Sequence, residues 1–143
     1  MDKSINMGRV VFLALVAAIG GILFGYDTAV ISGTTEIVKN QFQLTTIAEG
    51  WYVGCALIGS ILGVMIAGMM SDNYGRKRTM IFSALLFSIS AIGCAVCQDF
   101  NQLVFFRIIG GFGIGIVSIV SPIYISEIAP AQKRGSLVSL YQL

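Results

Sequence analysis

Long stretches of this chain carry no charged residue at all. From Val10 to Tyr26 almost every position is apolar or small, and Gly50 to Ser71, Thr79 to Gln98 and Ile108 to Ser126 are equally free of charge. The apolar positions follow one another in runs instead of alternating with polar ones, as expected of elements surrounded by apolar material on every side. Each run is about 20 residues long, which at 1.5 Å per residue crosses the roughly 30 Å hydrocarbon core of a bilayer. The pattern predicts membrane-spanning helices over about residues 10–33, 50–71, 79–98 and 102–127. A fifth begins at about residue 136, within "GSLVSLYQL".

Composition agrees. Of 143 residues, 56% are hydrophobic and 11% charged, with a mean hydropathy of +0.86. A soluble domain carries about 25% charged residues. The expected class is an all-α, multi-pass membrane protein with the lipid bilayer as its first partner. The first run exceeds a signal-peptide core in length, and further spans follow it, so it reads as a retained helix.

The few basic residues are distributed unevenly. Lys3, Arg9, Arg76, Lys77, Arg78, Lys133 and Arg134 fall on one side of the predicted spans, and Lys39 alone on the other. The positive-inside rule then places the N-terminus in the cytoplasm, with a cell membrane as the location. The net charge of +2 reports this topology and gives no ground for a nucleic-acid partner.

Cys94 and Cys97 form a CxxC at the end of an apolar span, but the chain has no histidine and one further cysteine, Cys55. A zinc site would lack ligands, so the thiols read as small apolar filler. The expectation is no metal and no cofactor. "GGFGIG" at 110–115 lies in mid-span without a preceding strand, which excludes a dinucleotide-binding loop. The glycines fall instead into small-xxx-small pairs, Gly21/Gly25, Gly50/Gly54, Gly59/Gly63 and Gly111/Gly115. Such pairs let helix backbones approach closely in membranes. No nucleophile–base arrangement points to an enzyme.

Two charges remain inside the spans, Asp27 and Arg107. A charge near a helix centre costs about 2.5–3.5 kcal/mol on insertion scales, so such residues face the bundle interior and pair. Asp27 lies six residues from the expected end of the first span at Gly33, and Arg107 six from the start of the fourth at Asn101. Both are therefore roughly 9 Å deep, counted at 1.5 Å per residue. Gly110, Gly111 and Gly115 share the Arg107 face and leave room beside the guanidinium. The pair is either a structural lock on helix register or a carboxylate that takes a proton when its cation moves away.

The motifs carry a resemblance. In "GMMSDNYGRKR", residues 68–78, Gly68, Asp72, Gly75, Arg76 and Lys77 match the loop G-x-x-x-D-[RK]-x-G-[RK]-[RK] between the second and third helices of the major facilitator superfamily. Asn73 stands where a basic residue is usual. "RIIGGFGIG" and "PIYISEIAPAQKRG" resemble the sugar porter branch. Arg107, Gly111, Gly113, Gly115, Pro122, Tyr124, Glu127, Pro130, Arg134 and Gly135 fall on its pattern, and "GGILFGYD" resembles its first helix.

The resemblance implies the major facilitator fold, represented here by the first four helices and the start of the fifth of its N-terminal half. It implies alternating-access transport of a small-molecule sugar. Asp27 paired with Arg107 is the arrangement of proton-coupled members, so proton symport is expected. Phe24 and Gln142 fall at sugar-contacting positions. Asp72, Gly75, Arg76, Lys77, Glu127 and Arg134 match a cytoplasmic charge network that latches the halves in the outward-facing state. The family has twelve helices, so the chain is expected to be an N-terminal fragment that transports nothing without the missing C-terminal half. The alternatives are an uncoupled sugar carrier and a membrane interaction protein that does not transport.

Overall fold

The computed structural model describes residues 7–130 and 134–142; residues 7, 9, 14, 17, 24 and 140–142 are described as backbone only. Helix α1 spans Met7–Phe42, α2 Thr46–Tyr74, α3 Arg76–Val96, α4 Phe100–Ile128 and α5 Arg134–Gln142. The first four are long and apolar enough to cross a bilayer. Lys3 and Lys133, two of the residues that orient the chain, lie outside the described residues, and Arg9 is described as backbone only.

Packing is centred on α4, which lies chiefly against α2 and α3 and less extensively against α1 and α5. Glycine makes the α2–α4 seam possible. A Cβ at Gly59 would collide with the Ile108 carbonyl and one at Gly63 with the Phe112 carbonyl. Reciprocally, Gly111 faces the Ala56 carbonyl and Gly115 that of Ser60. Two of the expected small-residue pairs therefore face each other across one seam. Gly25, Gly50 and Gly54 meet nothing within 4 Å among the described residues, so close packing does not account for them here.

The α3–α4 contact uses small polar groups. Ser90 Oγ donates to the Phe106 carbonyl at 2.6 Å beside Gly110, and Gly113 lies close to the Ser83 carbonyl. Ser71, Thr79, Ser83, Ser90 and Ser121 are buried, while Phe12, Ile22, Met65, Leu85 and Phe105 are exposed. Large apolar side chains outside and hydroxyls among Ile116, Val120 and Ile125 inside depart from a water-soluble core, because lipid gives helices no hydrophobic reason to hide leucine.

Two connections differ from their expected form. Helix α1 does not stop at Gly33 but continues to Phe42. The loss of hydropathy there marks the end of the apolar stretch, not of the helix: Thr34 and Thr35 return their hydroxyls to the Val30 and Ile31 carbonyls and stay helical. Between α2 and α3 the turn is a single residue. Gly75, at φ 84° and ψ 152°, ends one helix and starts the next, so Arg76, Lys77 and Arg78 form the first turn of α3. That backbone region is almost confined to glycine.

Candidate functional site

The two charges inside the bundle face one another. Arg107 Nη2 of α4 stands 3.6 Å from Asp27 Oδ2 of α1, with side-chain exposures of 6% and 24%. This is an ion-pair distance, beyond the reach of a hydrogen bond. An arginine buried so far from water without a counter-charge costs several kcal/mol, so Asp27 is the partner that keeps it tolerable. The equal six-residue count does not describe the helix ends themselves: Asp27 lies fifteen residues before Phe42, and Arg107 seven after Phe100. The pair is thus made within the helices, at unequal distances from their ends.

Helix α2 supplies a third member that the sequence pattern does not single out. The Tyr52 ring centroid lies 5.0 Å from Arg107 Cζ, inside the cation–π range of about 6 Å. Tyr52 is buried, and its hydroxyl sits 3.1 Å from Thr34 Oγ1 on α1. Cys55, one turn further along α2, is fully buried and points its thiol to the Tyr52 carbonyl. An aromatic residue within an apolar run carries no periodic signal that would mark it out. Its position four residues before Ala56 gains meaning only once the fold sets Ala56 against Gly111, on the face of Arg107.

Asp27 also lies on the wall of a cleft of about 380 Å³ between α1, α2 and α4. Thr28, Ser32 and Thr35 of α1 and Ser60 of α2 line it. The α1 hydroxyls recur at i, i+4 and i+7, one helical face, and this stripe was legible in "DTAVISGTT". The volume lies within the roughly 300–1,000 Å³ range of small-molecule sites.

A second charged cluster joins the opposite ends of α2, α3 and α4. Arg76 Nη1 reaches Asp72 Oδ1 at 2.6 Å and Ser71 Oγ at 2.9 Å, while Nη2 and Nε both lie 3.1 Å from Glu127 Oε1. The planar guanidinium suits this geometry because it presents several donors in one fork. Gly75 positions the arginine by turning the chain immediately before it. Lys77 and Arg134 are exposed and join no ion pair among the described residues. Gln142 and Phe24 are helical, but their side chains lie outside the described residues. Cys94 and Cys97 are free thiols, and no group of metal-ligating side chains forms among the described residues.

The family model described as "Sugar (and other) transporter" matches residues 13–143. The chain is 48% identical over its full length to an arabinose–proton symporter of Bacillus subtilis, covering 31% of that protein. It is 39% identical to a D-xylose–proton symporter of Escherichia coli, over 99% of this chain and 34% of the relative. The solved inward-open structure of the E. coli xylose transporter superposes with a TM-score of 0.86 at 40% identity, over 93% of this chain and 36% of that one. The chain thus spans about a third of the length of these relatives, which carry the names of transporters and not of enzymes. Its helices follow the first part of the xylose transporter fold, and the chain belongs to the sugar (and other) transporter family.

Proposed function

We propose that the chain forms part of a proton-coupled sugar carrier of the cell membrane, with Asp27 as the proton site and Arg107 as its partner. The observation that carries this reading is the buried ion pair between α1 and α4, set on the wall of a hydroxyl-lined cleft. The relatives named as arabinose–proton and xylose–proton symporters support it. With Asp27 ionised, the pair holds α1 and α4 together. Protonation of Asp27 from outside releases Arg107, sugar enters the cleft, and the halves of the carrier rock to the inward state. One proton moving through 100 mV supplies about 2.3 kcal/mol, enough for roughly a fifty-fold sugar gradient at 1.4 kcal/mol per tenfold.

In this reading Thr28, Ser32 and Thr35 offer hydrogen bonds to sugar hydroxyls, together with Phe24 and Gln142. The basic ends of the helices face the cytoplasm, as does the N-terminus. There Asp72, Gly75, Arg76, Lys77, Glu127 and Arg134 latch the outward-facing state, with Arg76 at the centre. The partners are sugar, proton, the lipid bilayer and the further helices of a twelve-helix carrier. The 143 residues alone carry no sugar, since alternating access needs the further helices of the carrier.

The test is the pH of a weakly buffered suspension of cells producing the carrier. Sugar addition should make the medium alkaline as protons enter with it. Uptake without alkalinisation would replace this reading with an uncoupled carrier. That second reading draws on the contact between Tyr52 and Arg107, which would equally suit a permanent structural pair.

A further inference from the structure

Arginine side chains carry a permanent charge in proteins, whereas Asp27, in the function proposed above, is neutral for part of each cycle. The guanidinium cannot turn to water when that happens, because its side chain is 6% exposed. Its Nε and Nη2 also make no hydrogen bond among the described residues. Asp27 is the one carboxylate paired with it there. The other groups around it are Tyr52 and Cys55 of α2 and, more distantly, Cys94 of α3. Of these, the Tyr52 ring offers an electron-rich face, and its attraction for a cation persists when the carboxylate charge is gone.

The ring is itself held in place. Thr34 Oγ1 donates to the Val30 carbonyl at 2.7 Å, which uses its only hydrogen. The 3.1 Å contact to Tyr52 is therefore a bond donated by the phenol to the threonine oxygen. Thr34 stands seven residues after Asp27, on the same face of α1. The guanidinium is thus connected to α1 twice, once through Asp27 and once through Tyr52 and Thr34.

We infer that Tyr52 is the positioning residue of the Asp27–Arg107 pair: its ring face keeps Arg107 in the bundle while Asp27 is neutral, and its hydroxyl ties that ring to α1. The purpose rests on the proton-coupling reading, but the geometry does not. Tyr52 does not line the cleft beside Asp27 and acts through Arg107.

A double-mutant cycle tests this without reference to transport, since only coupled residues depart from additivity. Asp27→Asn imitates the neutral carboxyl and leaves the Tyr52 ring and the Cys55 thiol beside the cation. The fall in thermal-unfolding midpoint caused by Tyr52→Leu should be at least twice as large with Asn at 27 as with Asp. Tyr52→Phe, which keeps the face and loses the bond to Thr34, should recover most of it. Equal falls in both backgrounds, or no difference between Leu and Phe, would overturn the inference. If the Leu variants do not fold, mono-, di- and trifluorinated phenylalanine at position 52 weakens the ring face at nearly constant volume. A graded fall, steeper with Asn at 27, is expected, and a flat response rejects the inference. Sugar accumulation by the Asp27→Asn carrier is read separately. Its persistence would defeat the proton-site reading while leaving the cycle to decide on Tyr52.

Discussion

The Cα of Gly111 faces the backbone carbonyl of Ala56 with no room between them for a methyl group. The obstacle is backbone, which no rotamer change removes, so a side chain here has to separate α2 from α4. Gly111→Ala is expected to destabilise the bundle by about 1–3 kcal/mol, the usual cost of overpacking. Gly54→Ala, whose methyl meets nothing within 4 Å, serves as the control. Thermal unfolding in detergent checks this. A fall with Ala at 111 and none at 54 is the expected result.

Gly75 should be equally intolerant for a different reason. Among the described residues nothing crowds it, but its φ of 84° and ψ of 152° are strained for any residue with a Cβ. Gly75→Ala is expected to cost about 1–3 kcal/mol, and it moves Arg76 away from Glu127 if the turn relaxes. Comparison with Gly68→Ala, also in open space but helical, separates backbone strain from crowding.

The Arg76 cluster depends on the fork shape of its cation. Lysine has one ammonium and cannot serve Asp72, Ser71 and Glu127 together. In the transport reading, Arg76→Gln should lower the sugar uptake rate several-fold at unchanged membrane abundance, with Arg76→Lys recovering only part of it. Full recovery by lysine would mean that charge alone matters at this position.

The hydroxyl stripe predicts a change in binding, not in turnover. In the transport reading, Ser32→Ala removes one hydrogen bond to the sugar, worth about 1 kcal/mol, and should raise KM about five-fold with kcat little changed. Initial rates over a range of sugar concentrations measure both.

The spans were legible because a charge-free run of bilayer length is what a helix surrounded by lipid requires. The pairing of Asp27 with Arg107 was legible because lone charges inside such runs need partners. The end of α1 was not: hydropathy reports where the apolar stretch ends, while Thr34 and Thr35 carry the helix onward by bonding to their own backbone. Nor was the role of glycine uniform. Gly59, Gly63, Gly111 and Gly115 meet across the α2–α4 seam, whereas Gly50 and Gly54 have the same spacing and no such contact. Spacing places small residues on one face but does not say which helix lies against it. Tyr52 was hidden for a similar reason, since its meaning comes from Arg107 and Thr34, which are distant in sequence.

The most direct test of the central claim is sugar accumulation against exchange in cells producing the carrier with Asp27→Asn. An amide can neither take up nor release the coupling proton. The account predicts that accumulation against a gradient disappears while exchange of internal for external sugar continues. Sugar concentrated to the unsubstituted level by the Asp27→Asn carrier would contradict it.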